Sequence, residues 1–174
     1  MQMNRDQLQV FVRTFAVNED AAMGMPGRPD LLGSGYFASV FDIGYGRVLK
    51  VIKDEDPGYE WFVTQIEGIT DNPFLPRVFY SETWGDRRVY CLEKLTPLKA
   101  CNNRCEMYDT WRNVRDAMMS ENSFMTILHP KLRQIRSILS SSKYRIDLHD
   151  ENMMVRGDQI VITDPVSFTK TGSY

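Results

Sequence analysis

Asp147, Asn152 and Asp164 are the residues of this chain whose types and spacing could do chemistry. A carboxylate is followed five positions on by an amide, and the amide twelve positions on by a second carboxylate. Phosphoryl transfer needs one acid to orient a nucleophilic hydroxyl and two oxygen ligands to hold Mg²⁺. The run from Met153 to Thr163 reads as strand, Gly157-Asp158 turn, strand, a hairpin that would return Asp164 to the side of Asn152. Short acidic patterns also arise as ordinary turn residues before a hairpin, so the elements upstream must decide between the two readings.

Those elements supply a cradle for phosphates. Gly33-Ser34-Gly35 lies between two strand-like runs, and glycines there permit close approach of backbone to phosphate, although a plain hairpin turn has the same composition. Lys50 sits inside Val48, Leu49, Val51 and Ile52. A lysine so flanked either points outward from an alternating strand or faces a cleft and meets an anion. Lys53 competes with it at the point where the strand yields to Asp54-Glu55-Asp56. Pro57-Gly58 then opens a helix with Tyr59, Phe62, Val63 and Ile66 at helical spacing. Glu60 and Glu67 are its candidates to pair with the lysine, and Glu60 is preferred because it lies near the helix start. Val78–Glu82 and Arg88–Glu93 read as strands joined by Gly85-Asp86.

The spacing further predicts a helical extension over 4–17 built on Leu8, Val10, Phe11, Phe15 and Val17, and a Gly/Pro/Met-rich connector from Ala21 to Pro29. Residues 103–121 read as a helix with Met107, Tyr108, Trp111, Val114 and Met118 along one face, the methionines filling core. A second helix is expected from Ser123, with Leu132, Ile135, Ile138 and Leu139 on its apolar stripe and Ser140-Ser141-Ser142 ending it.

In their joint order these features resemble the protein kinase superfamily, and more closely the kinase domain of the early serine/threonine protein kinases of T-odd bacteriophages. The resemblance runs from about Leu31 to Phe168 and rests on Leu32-Gly33-Ser34-Gly35-Tyr36-Phe37, Arg47-Val48-Leu49-Lys50-Val51, Asp147-Leu148-His149 with Asn152, and Ile162-Thr163-Asp164-Pro165-Val166-Ser167-Phe168. The last heptapeptide, with Asp-Pro-Val for the usual Asp-Phe-Gly, is the most specific. The resemblance implies an α+β fold, a minimal bilobal kinase-like domain over 1–174. Its antiparallel-sheet N-lobe would span about 28–95 and its truncated helical C-lobe about 96–174. It implies ATP and Mg²⁺ as cofactors, with Gly33 and Gly35 over the phosphates, Ala38 at the usual third glycine and Val40 on the adenine. Lys50 paired with Glu60 would hold the phosphates. Leu92 would be the gatekeeper, and Glu93 and Leu95 the hinge whose backbone meets adenine. Asp147 and His149 would serve catalysis, and Asn152 and Asp164 the metal. The implied activity is phosphorylation of host proteins during takeover of a bacterial cell, in the host cytoplasm.

The chain departs from the general pattern in two related ways. Only ten residues follow Asp164, too few for an activation loop and peptide-binding helices. Ile146 stands where an arginine would grip an activation-loop phosphate. Switching by activation-loop phosphorylation is therefore not expected. The tail Ser167-Phe168-Thr169-Lys170-Thr171-Gly172-Ser173-Tyr174 offers hydroxyls close in sequence to Asp164 and is a candidate for autophosphorylation, a disordered polar end being the alternative. His149 is shared with small-molecule phosphotransferases of the aminoglycoside and choline kinase type, which keeps that class as an alternative. It would contact the γ-phosphate or order the loop. A non-catalytic kinase-like inhibitor of a host factor is the third reading.

Composition narrows the partners. A net charge of −2 provides no global field for nucleic acid. No apolar run is long enough to span a bilayer, and the first residues lack a signal-peptide profile. Cys101-x-x-x-Cys105 has only His129 and His149 to complete a metal site, so Cys91, Cys101 and Cys105 read as reduced structural thiols.

Overall fold

The computed structural model describes residues 3–120 and 129–167. The expected helix start at Ser123 and the tail beyond Ser167 lie outside the described residues. The protein is mixed α+β, and its chain groups into two compact units. One runs to Asp56 and resumes over Val78–Lys94; the other comprises Pro57–Arg77 and the chain from Leu95 onward.

In the first unit, helix α1 (Arg5–Val17) starts at a capping box. The Asn4 side chain accepts from the Gln7 N–H, and the Gln7 side chain accepts from the Asn4 N–H. Its apolar stripe buries Leu8, Phe11, Val12 and Phe15. Val10 and Val17, read from the sequence as part of that stripe, face solvent at 53% and 89% exposure. They fall off the 3.6-residue face that Val12 completes. A short helix, α2 (Glu19–Met23), occupies the start of the expected Ala21–Pro29 connector. Asn18 caps it by accepting from the Ala21 N–H, and Glu19 and Asp20 suit its positive end.

Strands β1 (Asp30–Ser34), β2 (Ala38–Gly44), β3 (Arg47–Ile52), β4 (Val78–Trp84) and β5 (Arg87–Glu93) form one antiparallel sheet in the order β1-β2-β3-β5-β4. One face packs on the helices: Phe41, Leu49, Val51, Trp84 and Val89 join the α1 residues in a single core, where Phe41 meets the rings of Phe11 and Phe15 edge-on.

In the second unit, helix α3 (Pro57–Ile66) buries Tyr59, Phe62, Val63 and Ile66, the four positions its periodicity predicts. Strand β6 (Thr96–Pro97) leads through a 3₁₀ turn into helix α4 (Arg104–Met119), where Met107, Val114 and Met118 are core. Helix α5 (Pro130–Ser140) has proline in its first turn and buries Leu132, Ile135 and Leu139. Strand β7 (Arg145–Ile146) pairs with β10 (Val166–Ser167), while β8 (Met153–Arg156) pairs with β6 and with β9 (Gln159–Ile162). Gly157 makes the β8–β9 turn at φ 60, a left-handed conformation that favours glycine. Ser167, the one tail hydroxyl among the described residues, sits in β10 opposite Arg145.

Candidate functional site

The residues expected to carry chemistry fall into two groups, one in each unit. The group in the second unit is the loop Asp147–Asn152 and the segment Thr163–Pro165. The β8–β9 hairpin has the register that the sequence suggests, Met153 opposite Ile162, so its two ends emerge side by side. The Asn152 carbonyl then accepts from the Thr163 N–H at 3.0 Å, the Thr163 hydroxyl at 2.9 Å and the Asp164 N–H at 3.2 Å. At the other end of the loop the Asp147 N–H donates to the Pro165 carbonyl at 2.8 Å. Both ends of the loop are thereby tied to one short segment, and Asp147, Asn152 and Asp164 are brought together.

The loop is also ordered from within. The Asn152 side-chain amide donates to the Asp147 carbonyl at 2.9 Å, which commits its nitrogen and leaves Oδ1 as the acceptor end of the group. His149 Nδ1 accepts from the Glu151 N–H at 3.2 Å. The other ring nitrogen, Nε2, lies 3.8 Å from Asp147 Oδ2. Leu148 is buried and anchors the loop to the core, while Asp147 and Asn152 remain partly accessible. The Tyr108 hydroxyl of α4 donates to Asp150 Oδ2 at 3.0 Å and secures the loop's outer side.

An amide oxygen from Asn152 and a carboxylate from Asp164 are hard oxygen donors, the chemistry Mg²⁺ prefers when substrate phosphates and water complete its shell. The donor set therefore fits the expected metal. No group of three His, Cys, Asp or Glu side chains suited to a metal occurs among the described residues. Cys101 donates its thiol to the Leu98 carbonyl, and none of the three cysteines forms a disulfide. Burial pushes the Cys91 thiol up from its ordinary pKa.

The group in the first unit lies on the sheet. Val40 is directly opposite Lys50, and Lys50 opposite Tyr90; Val48, two residues from Lys50, is opposite Leu92. Directly paired residues and residues two apart share a face. Val40, Lys50 and Leu92 thus occupy one face of the sheet, the face opposite that of Leu49 and Val51, which packs on α1. Lys50 sits on the third strand of the chain. Gly33 and Gly35 lie at the β1–β2 turn, where a side chain added at either position would have no atom within 4 Å, and neither has a positive φ. Nothing in the fold requires glycine at these positions. Glu93 ends β5 opposite Arg47, and Leu95 follows Lys94, whose N–H donates to the Gly46 carbonyl at 2.8 Å.

Glu60 lies exposed in the first turn of α3, in the second unit, whereas Lys50 belongs to the first. Glu67 lies just beyond the end of α3. A cavity of about 280 Å³ in the first unit, lined by residues including Arg28, Asp42 and Ile43, contains none of these site residues. Sequence reasoning missed three supporting groups: Thr163, which bonds Asn152 twice over; Tyr108, which holds Asp150; and Ser39, a fully buried hydroxyl beside the glycine turn. Thr163 and Tyr108 are visible in the sequence only as members of a motif and of an apolar face, and Ser39 only as a strand residue; the hydrogen-bond partner of each is set by the fold. In comparisons with known proteins, no family model matches the chain and no curated protein matches it.

Proposed function

We propose that this protein is a Mg²⁺- and ATP-dependent protein kinase with a minimal bilobal kinase-like fold, acting on serine or threonine of host proteins in the cytoplasm of a bacterium infected by a phage. The observation that carries the reading is the hydrogen-bonded nest that joins Asp147, Asn152 and Asp164 within one unit. Further support comes from two glycines that the fold itself does not need and from Val40, Lys50 and Leu92 sharing a sheet face.

In this reading the Asp147 carboxylate orients a substrate hydroxyl and takes its proton as the oxygen bonds to the γ-phosphorus of ATP and the bond to the ADP oxygen breaks. Asn152 and Asp164 hold Mg²⁺, which neutralises charge on the phosphates when bound. Lys50, paired with Glu60, holds the α/β-phosphates, and the backbone of Glu93 and Leu95 binds adenine. His149 keeps the loop in register beside Asp147.

Two linked measurements test this. Mg²⁺-ATP should raise the thermal midpoint of the wild type, since a ligand that binds only the native state stabilises it, and Asp164→Ala should remove most of that rise. With radiolabelled ATP and a bacterial lysate, the wild type should label protein bands, while Asp147→Ala should bind ATP but label them at least about a hundredfold more slowly. Labelled metabolites in place of proteins would move the assignment to small-molecule phosphotransfer. Equal stabilisation of wild type and Asp164→Ala, or undiminished labelling by Asp147→Ala, would overturn it.

A further inference from the structure

The β1–β2 turn is exposed from Leu31 through Tyr36, so burial does little to hold it. Beyond the β1–β2 ladder and the Gly35 N–H bond to the Ala38 carbonyl at 2.8 Å, what holds it is polar and comes from behind. The Ser34 hydroxyl, between Gly33 and Gly35, lies 2.9 Å from the Ser39 hydroxyl and accepts from the Lys53 ammonium at 2.9 Å. Ser39 is completely buried, and a buried hydroxyl is expected to keep a partner. Lys53 is itself fixed through its backbone. Its N–H donates to the Phe37 carbonyl at 2.8 Å, across the same turn, and its carbonyl accepts from the Arg87 guanidinium. Arg87 also reaches the Ala16 carbonyl near the end of α1 at 3.4 Å. A continuous polar path therefore runs from α1 through Arg87 and Lys53 to the centre of the glycine turn, all within the first unit.

The face on which this path lies decides what it can do. Ser39 is opposite Val51, and Val51 opposite Val89, both in the core under α1. Lys50 is on the other face. Lys53 is therefore no second candidate for the phosphates, as its place in the sequence would allow, but grips the turn from the side away from Lys50.

We infer that Lys53, acting through Ser34 and Ser39, is a positioning residue that pre-organises the glycine-rich turn for nucleotide phosphate. The inference rests on the proposed nucleotide-binding reading. A glycine-containing turn left to itself samples many conformations, and ordering it at the moment of binding costs affinity. The brace meets that cost in advance, so its loss acts on binding and leaves the transferring step alone.

The test uses the full chain and Mg²⁺-ATP. Lys53→Met and Ser39→Ala should each raise the KM for ATP about three- to tenfold with kcat nearly unchanged, the size set by one net hydrogen bond. Lys53→Arg should restore the wild-type KM. The two losses should be non-additive in the double variant, because they break one path. Hydrogen exchange at the amides of 33–38 should quicken in Lys53→Met without added nucleotide, in protein whose thermal midpoint shows that it is folded. Unchanged KM and unchanged exchange in both variants, with a wild type that binds Mg²⁺-ATP, would overturn the brace and leave the kinase reading standing. A wild type that fails to bind Mg²⁺-ATP would overturn both.

Discussion

Tyr45 is the only described residue other than glycine with a positive φ, 52°, and it stands between Gly44 at 79° and Gly46 at 68°. The two-residue connection Tyr45-Gly46 between β2 and β3 needs left-handed conformations at both positions, the geometry in which Asn-Gly is preferred. A tyrosine held there carries a steric cost of about 1 kcal/mol or more, and at 89% exposure it recovers little by packing. Tyr45→Asn should therefore stabilise the protein by about 0.5–1 kcal/mol, read as a higher urea midpoint with an unchanged slope. A lower midpoint would mean that the ring has a partner that offsets the strain. The same scale explains the loop around Asp147. Besides the 3₁₀ turn at Asp150–Asn152 and the buried Leu148, its order rests on single hydrogen bonds made by Asn152, Thr163 and His149.

Helix α1 shows how an element that precedes the sheet supports it. Its buried stripe supplies one side of the core beneath the five-stranded sheet. Phe11, fully buried, contacts Phe15 and meets Phe41 edge-on with ring centroids 5.0 Å apart. Phe11→Ala should cost about 3–5 kcal/mol, since removing a buried aromatic ring loses its transfer free energy and leaves a cavity. A urea titration would register this as a large fall in midpoint. A fall of under about 1 kcal/mol would show that the sheet does not depend on α1. The β8–β9 hairpin is the counterpart in the second unit, a short element whose register alone fixes which residues meet at its open end.

Across the molecule, ion pairs join segments far apart in sequence. Lys94 pairs with Asp42 at 2.5 Å, Arg5 with Glu82 at 2.6 Å, and Lys131 with Asp71. The Lys94 hydrogen bond holds the Asp42 carboxyl below its ordinary pKa, and the Lys131 hydrogen bond does the same for Asp71. For Glu82 the largest cause is the Trp84 indole N–H, with Arg5 adding to it. A carboxylate whose pKa is depressed by folding contributes stability above its unfolded pKa, about 4, and loses it as pH falls through the lower folded value. The urea midpoint should thus hold between about pH 7 and 5 and fall below about 4. Asp42→Asn should flatten part of that fall. Because these pairs are largely exposed, added salt should shrink the effect. A midpoint that rises on acidification would contradict the assignment. No described helix is long and apolar enough to cross a membrane.

How much of this was legible in the sequence follows from the range of each interaction. Local patterning dictated the elements: the Gly157-Asp158 hairpin, the burial of Tyr59, Phe62, Val63 and Ile66 on α3, the strands flanking Gly85-Asp86, and the glycine turn between β1 and β2 all follow from period and turn chemistry among near neighbours. The types and spacing of Asp147, Asn152 and Asp164 likewise sufficed to nominate a site, because a short hairpin leaves few ways to return the chain. Face and partnership were decided only by tertiary structure. Lys53 competes with Lys50 by its place at the end of the same run, and only its hydrogen bond to Ser34, together with the pairing of Lys50 with Val40 and Tyr90, shows which side each serves. Val12 joins the core in place of Val10 and Val17 because the sheet meets α1 along one side. Thr163, Tyr108 and Ser39 gain their roles from partners that the fold brings to them, since a hydrogen bond between separate elements leaves no periodic trace in either one.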